Sequence, residues 1–338
     1  VPNLAFLSDN AAPAHPAVVR AIEAANVGYA PPYGEDEWTR RARERIRDLL
    51  GDVEVVLVFN GTGANTLALS TLVKPHECVL AARGAHVVVD EAGALERFAG
   101  SRAVPVEAPD GKLRRETLEP LLARRGDQHA VQPRAVTITN ATELGTVYAP
   151  AEVRALARWC HERGLLLHCD GARLANAAVA HDGNLKALVD GLDVLSFGAT
   201  KNGMLYGEAI VFFDRALARD AAWTRKQGMQ LASKQRYLGA QLDALLADGL
   251  WLENARHANR MAALLAREAR AAGIELARPT EANMVFARLP RAAIAKLQAE
   301  WPCYVWDEAT GEVRWVCSWD TDERDVRALV ASARRALA

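Results

Sequence analysis

No apolar run in this chain of 338 residues approaches the length of a membrane span, so no membrane-embedded segment is expected. No excess of either charge sign exists. Lys plus Arg number 41 and Asp plus Glu 42, which leaves a net charge of -1 and no electrostatic footprint for nucleic acid or a membrane surface. The opening stretch 1–16 lacks the basic and apolar regions of a secretory signal. The cysteines are few, odd in number and scattered: Cys78, Cys160, Cys169, Cys303 and Cys317 form no CxxC pair. That excludes a disulfide framework, and it points to reduced thiols in a cytoplasmic protein with no metal site. Lysine is scarce, and Lys74, Lys112 and Lys186 sit in surface-like surroundings.

What the chain does contain is a soluble globular composition, 50% hydrophobic and 25% charged, long enough for one large and one small domain. Short apolar runs alternate with amphipathic stretches. Strands are expected at 55–59, 78–82, 135–139, 165–169, 194–197 and 209–213. Helices are expected at 62–72, 90–98 and 150–163, the last with proline at its start. Continuous apolar strands separated by helices indicate an α/β fold with a mostly parallel sheet covered on both faces. The pattern then changes. A long helical stretch at 243–272 precedes short strands at 283–288, 304–307 and 312–318, which suggests a smaller α+β domain. The expected division is an N-terminal arm at 1–14, a large domain at 15–248 and a small domain at 249–338.

Ligands of open α/β sheets gather at the carboxyl ends of strands, and four segments fall there. Asn60-Gly61-Thr62-Gly63-Ala64-Asn65 links a strand to a helix. Its free amides and the helix dipole suit an anion. It lacks the third glycine and the acidic residue of a dinucleotide fingerprint, so a phosphate fits better. Taken alone it is a tight strand–helix turn. His168-Cys169-Asp170-Gly171-Ala172-Arg173 ends a buried strand with a carboxylate, which could hold a protonated pyridine nitrogen or merely cap a helix. His168 and Asp170 have no third partner for a metal. Ala199-Thr200-Lys201-Asn202 places a lysine among small residues at a strand end, a setting for a Schiff base. His86, in Gly84-Ala85-His86, could lie flat on a planar group, although a lone histidine is more often structural.

The order of these pieces resembles the aspartate-aminotransferase-like fold of pyridoxal-phosphate enzymes, fold type I. Within it the chain is similar to the threonine aldolase and β-eliminating lyase family. The resemblance runs through Ser8-Asp9-Asn10, Tyr33-Gly34-Glu35-Asp36, the 60–65 turn, His86, Asp170 to Arg173, Thr200 to Gly203, and Arg314 to the Cys317-Ser318-Trp319-Asp320-Thr321 segment. It implies pyridoxal 5'-phosphate as cofactor and a small amino acid as substrate. The activity it implies is cleavage of L-β-hydroxy-α-amino acids, such as L-threonine, L-allo-threonine and L-phenylserine, to glycine and an aldehyde. By this resemblance Lys201 carries the cofactor, with Thr200 beside it, and Asp170 pairs with the ring nitrogen. Gly61, Thr62 and Gly63 hold the phosphate. His86 stacks on the ring and reaches the β-hydroxyl. Arg173 meets the phenolic oxygen or the substrate carboxylate. Arg314 clamps that carboxylate with help from Ser8. Tyr33 and Lys226 act across a subunit interface of a homotetramer.

Many family members carry a histidine where this chain has Glu143, in Asn140-Ala141-Thr142-Glu143-Leu144. For the base that takes the β-hydroxyl proton, His86 ranks first, Glu143 second and Asp90 third. Two alternatives stand beside this reading. A β-eliminating lyase or another reaction on the same fold differs little in sequence. A nucleotide-binding α/β protein would use the 61–63 turn, but it leaves the Lys201 segment without a purpose. An aminotransferase would place an arginine a few residues past the lysine, and 202–207 contains none.

Overall fold

The computed structural model describes residues 2–337. Among these described residues, eleven strands form two sheets. The larger holds β1 (Glu54–Val58), β2 (Glu77–Ala82), β3 (Arg102–Val106), β4 (Gln132–Thr139), β5 (Leu166–Gly171), β6 (Val194–Phe197) and β7 (Glu208–Phe212), in the order β1-β7-β6-β5-β4-β2-β3. All neighbours are parallel except β7, which is antiparallel to both β1 and β6. Its flanking strands therefore run the same way, and the carboxyl ends of β1, β2, β4, β5 and β6 share one edge of the sheet. The strands are apolar on both faces because helices cover both, as continuous hydrophobic runs require.

The smaller sheet is antiparallel. It comprises β8 (Glu275–Leu276), β9 (Met284–Arg288), β10 (Tyr304–Asp307) and β11 (Glu312–Val316), in the order β10-β11-β9-β8. The helix Leu250–Ala271 spans both hydrophobic cores. Trp251 and Ala255 pack in the first core, whereas Met261, Leu265 and Ala269 pack in the second. Phe6 from the start of the chain is buried in the second core, and its carbonyl accepts from Val316 N at 3.0 Å.

Most expected elements are present, and the departures have local causes. The helix expected at 90–98 is two short ones, His86–Val89 and Ala94–Ala99. Ala92 and Gly93 between them take left-handed conformations, φ 50° and 72°, which a continuous helix excludes. The stretch 243–272 breaks at Asp248 and Gly249, φ 51° and 76°, between the helices Arg236–Leu246 and Leu250–Ala271. β3 has no strand pattern legible in the sequence, because Pro105 interrupts it, and it lies at the sheet edge where proline is tolerated. Lys112, expected at the surface, is largely covered. Its side chain is 13% exposed and pairs with Glu152 at 3.0 Å. All five cysteines are free and buried.

Candidate active site

The shared edge of the sheet collects the chemistry. β1 runs through Phe59 into the helix Gly61–Leu72, whose cap is Asn60, with Oδ1 accepting from Gly63 N at 2.7 Å. Among the described residues the amides of Gly61 and Thr62 have no such partner and are left for an anion. A Cβ at Gly63 would meet the end of the Gln230 side chain at 2.5 Å and displace it. Gln230 itself accepts from Phe59 N at 2.9 Å. Asn60, Thr62, Gly63 and Gln230 line a cleft of about 330 Å³.

β5 delivers Asp170. The carboxylate is buried and receives Asn65 Nδ2 at 2.8 Å and Ala172 N at 2.9 Å. Ala172 N takes one oxygen and Asn65 the other, and the following helix Leu174–Val179 has Arg173 as its N-cap with no side-chain bond, so Asp170 does not cap it. His168, two residues earlier on the same strand, is enclosed between Thr137 Oγ1 at 2.8 Å and Ser196 Oγ at 3.0 Å. Burial pushes it down to about 4. Both ring nitrogens are used, which makes it a satisfied core histidine.

β6, beside β5, delivers Lys201. Gly198 brings the two strand ends together: its N–H donates to Gly171 O at 3.1 Å, and a Cβ there would meet Gly171 O at 2.4 Å. The Lys201 turn is pinned by Asn202 Nδ2 to Trp251 O at 2.7 Å and by Asn254 Nδ2 to Asn202 O at 2.9 Å. Thr200 Oγ1 accepts from Gly207 N at 3.0 Å and braces the loop. Burial, and then the charge of Arg173, hold the Lys201 ammonium below the ordinary lysine range, against the pull of Asp9, Asp170 and Glu208. Burial pushes Glu208 up to about 7, while the Ala199 amide and Lys201 pull it the other way.

Arg173 is not free. Its Nε and Nη2 grip Asp9 at 2.7 and 2.9 Å in a buried bidentate pair, which leaves both Nη1 hydrogens and the second Nη2 hydrogen for other acceptors. Burial pushes Asp9 up, but Arg173 and Lys201 outweigh it and hold the carboxyl below its usual range. Arg314 differs. Its guanidinium lies between the Tyr304 and Trp306 rings, 5.2 and 4.8 Å from their centroids, and its buried Nε has no partner. Burial and neighbouring Arg173 push it down to about 10. An aromatic-lined, unpaired guanidinium is a ready carboxylate clamp. Ser8 Oγ accepts from Asn10 N at 3.2 Å, next to Asp9.

On the opposite side of Asp170, His86 Nδ1 meets Glu91 Oε1 at 2.9 Å. Glu143 Oε1 accepts from His86 N and from Thr139 Oγ1, each at 2.9 Å. Burial, then Asp170, push Glu143 up. Asp90 is exposed. Tyr33 and Lys226 stand apart from this network. Lys226 Nζ lies 5.3 Å from the Tyr33 ring centroid, and Tyr33 is 48% exposed.

A model of the β-eliminating lyase family matches residues 5–292. The chain belongs to that family. This β-eliminating lyase family member is 45% identical over 336 residues to a low specificity L-threonine aldolase of a Pseudomonas species, which covers 97% of this chain and 96% of that one. A solved Leishmania major threonine aldolase matches with a TM-score of 0.94 and 34% identity, over 99% of this chain and 100% of that one. A mutant Thermus thermophilus aspartate aminotransferase matches with a TM-score of 0.71 over 99% and 92% of the two chains. At 18% identity it shares the fold, the aspartate-aminotransferase-like type I architecture.

Four residues of this family member's site escaped the sequence reading of roles: Asp9, Asn65, Glu91 and Asn283. Asn283 Nδ2 donates to Asp9 Oδ2 at 3.1 Å and to Cys317 O at 2.8 Å. A buried arginine signals an acidic partner, but no local spacing says that the partner lies 164 residues away. Removing Asp9 strands the Arg173 charge. Asp9→Ala is expected to lose about 3–5 kcal/mol of stability, the usual cost of breaking a buried pair. Urea denaturation checks this, and a midpoint equal to that of the unmodified protein refutes it.

Proposed function

We propose that this chain is a pyridoxal-phosphate-dependent aldolase that cleaves L-β-hydroxy-α-amino acids, L-threonine and L-allo-threonine among them, to glycine and an aldehyde. The carrying observation is the pairing of Lys201 and Asp170 at the ends of adjacent strands, with Arg314 unpaired nearby. Likeness to low specificity L-threonine aldolases supports it. The residues fit the cofactor. Lys201, held below its usual range, provides a nucleophilic amine. Asp170 is oriented to hold the proton of the pyridine nitrogen. The 61–63 amides suit the phosphate. When bound, pyridoxal phosphate supplies an electron sink for the Cα–Cβ bond pair.

The protein's own groups do the rest. Arg314 clamps the substrate carboxylate, with Arg173 Nη1 and Ser8 as further donors. His86 takes the proton of the β-hydroxyl as the aldehyde leaves, a contribution of ~10²–10⁴-fold for a positioned base. Glu143 has one oxygen already engaged by two donors, so it stands second to His86, and exposed Asp90 stands third.

Tyr33 and Lys226 are proposed to complete the site of a neighbouring subunit in a homotetramer. Exposed Tyr206 and Met229 adjoin the phosphate turn, and exposed Tyr33 lies beside Ser233. Tyr33 N bonds Ser233 O at 2.9 Å, Tyr206 packs on Phe59, and Met229 lines the Gly63 cleft. Such a patch beside a site suits burial by another copy. The five free thiols support a reducing, cytoplasmic setting.

With nitrogen and carboxylate fixed, only the L configuration turns Cβ toward His86, while one bridged hydroxyl contact discriminates Cβ epimers by only ~1 kcal/mol. Glycine release is therefore expected from L-threonine and L-allo-threonine and from neither D isomer, with L-phenylserine a further substrate. Cleavage of a D isomer refutes the site geometry, and ammonia with a keto acid in place of glycine refutes the aldolase. Borohydride reduction and peptide mapping should place the pyridoxyl label on Lys201, and a label on Lys226 or Lys234 overturns the assignment. Sedimentation should show a tetramer, and an active monomer removes the interface role of Tyr33 and Lys226.

A further inference from the structure

A chain of polar contacts runs from His86 beneath the site to Asp170. His86 Nδ1 meets Glu91 Oε1 at 2.9 Å, and Asn65 Nδ2 donates both to that oxygen at 2.9 Å and to Asp170 Oδ2 at 2.8 Å. The Glu91 side chain is 0% exposed, although it follows exposed Asp90 in the turn between two short helices. Both Asn65 partners are carboxylate oxygens. The amide nitrogen must therefore face them, and Asn65 Oδ1 is left buried without a partner. A buried carboxylate that collects an amide and an imidazole is more than a turn support, because an ionised acceptor dictates which imidazole nitrogen carries the proton. The arrangement repeats the logic of a base oriented by a third group.

We propose that Glu91 is a positioning residue for His86: it retains the Nδ1 proton, so the neutral ring presents its lone pair on Nε2 and receives the β-hydroxyl proton there. This rests on the aldolase reading. In the step the O–H bond breaks and the Nε2–H bond forms. The resulting imidazolium lies against the Glu91 carboxylate, and its added proton then passes to solvent. Asn65 links the same carboxylate to Asp170, so the base and the ring-nitrogen partner keep a fixed separation.

The charged groups around the pair set the direction of the pH effect. The Glu91 hydrogen bond raises His86 above the usual histidine range, burial opposes it, Asp170 adds to it, and Lys201 opposes it. Glu91 is pushed up by burial and by Asp170 and pulled down by His86 and Asn65. Glu143 also touches His86, at its backbone amide. A base acts deprotonated, so kcat/KM rises with pH through the His86 pKa. Glu91→Gln keeps the shape and removes the charge, which lowers that pKa.

The acid limb of kcat/KM in Glu91→Gln holoenzyme is expected to move about one unit toward lower pH, with a lower plateau because the base is weaker. Diethyl pyrocarbonate acylates unprotonated imidazole, and its rate at His86, read by peptide mass mapping without substrate, should show the same displacement. Glu91→Asp keeps the charge at a longer reach, so its limb should stay near the original position while kcat falls. Three results overturn the proposal. One is an unmoved acylation midpoint in Glu91→Gln. Another is a moved midpoint with an unmoved kcat/KM limb. The third is a limb in Glu91→Asp displaced as far as in Glu91→Gln. The acylation midpoint needs no turnover, so it stands or falls separately from the aldolase reading.

Discussion

The buried carboxylate of Asp9 joins three parts of the chain that are remote in sequence. Arg173 reaches it from the end of β5, Asn283 from just before β9, and Asn283 also holds Cys317 O after β11. The N-terminal segment, the large sheet and the small sheet therefore meet at one carboxylate. Arg314 sits close by on β11, near enough to feel both Arg173 and Asp9. The position of Arg314 relative to Lys201 thus depends on the buried Arg173–Asp9 ion pair. A buried pair of this sort costs desolvation of both charges, and bidentate geometry with an extra amide donor offsets much of it.

Around that pair the site gathers three cationic groups, Arg173, Arg314 and Lys201. Burial, and then the charge of Arg173, push both Lys201 and Arg314 down. Asp9 neutralises Arg173. A ligand bearing a carboxylate relieves the strain on Arg314, and the amides at the start of the helix Gly61–Leu72 call for a second anion. On the far side of Asp170, carboxyl groups dominate: Glu91 and Glu143 are both raised by burial and by Asp170.

Much of this was legible in the residues. Lys201, Asp170, His86 and the glycine turn each follow an apolar strand, and strand ends of an α/β sheet are where ligands gather. Periodicity could place the strands because the sheet is covered on both faces. It could not place the partners. Asn65 reaches Asp170 across 105 residues and Glu91 across 26, and neither separation leaves a pattern in one chain. Nor could it show that Arg173 is already taken by Asp9. The misread helix at 90–98 hid Glu91, since a continuous helix would have placed that residue on a repeating face and not in a turn beside His86.

His168 has a consequence for the electrostatic floor of the site. Locked between Thr137 and Ser196 and pushed down to about 4, it stays uncharged through the whole neutral range. A cationic imidazole two residues from Asp170 would soak up part of its field. A neutral one leaves the charge of Asp170 uncompensated from the side of the sheet.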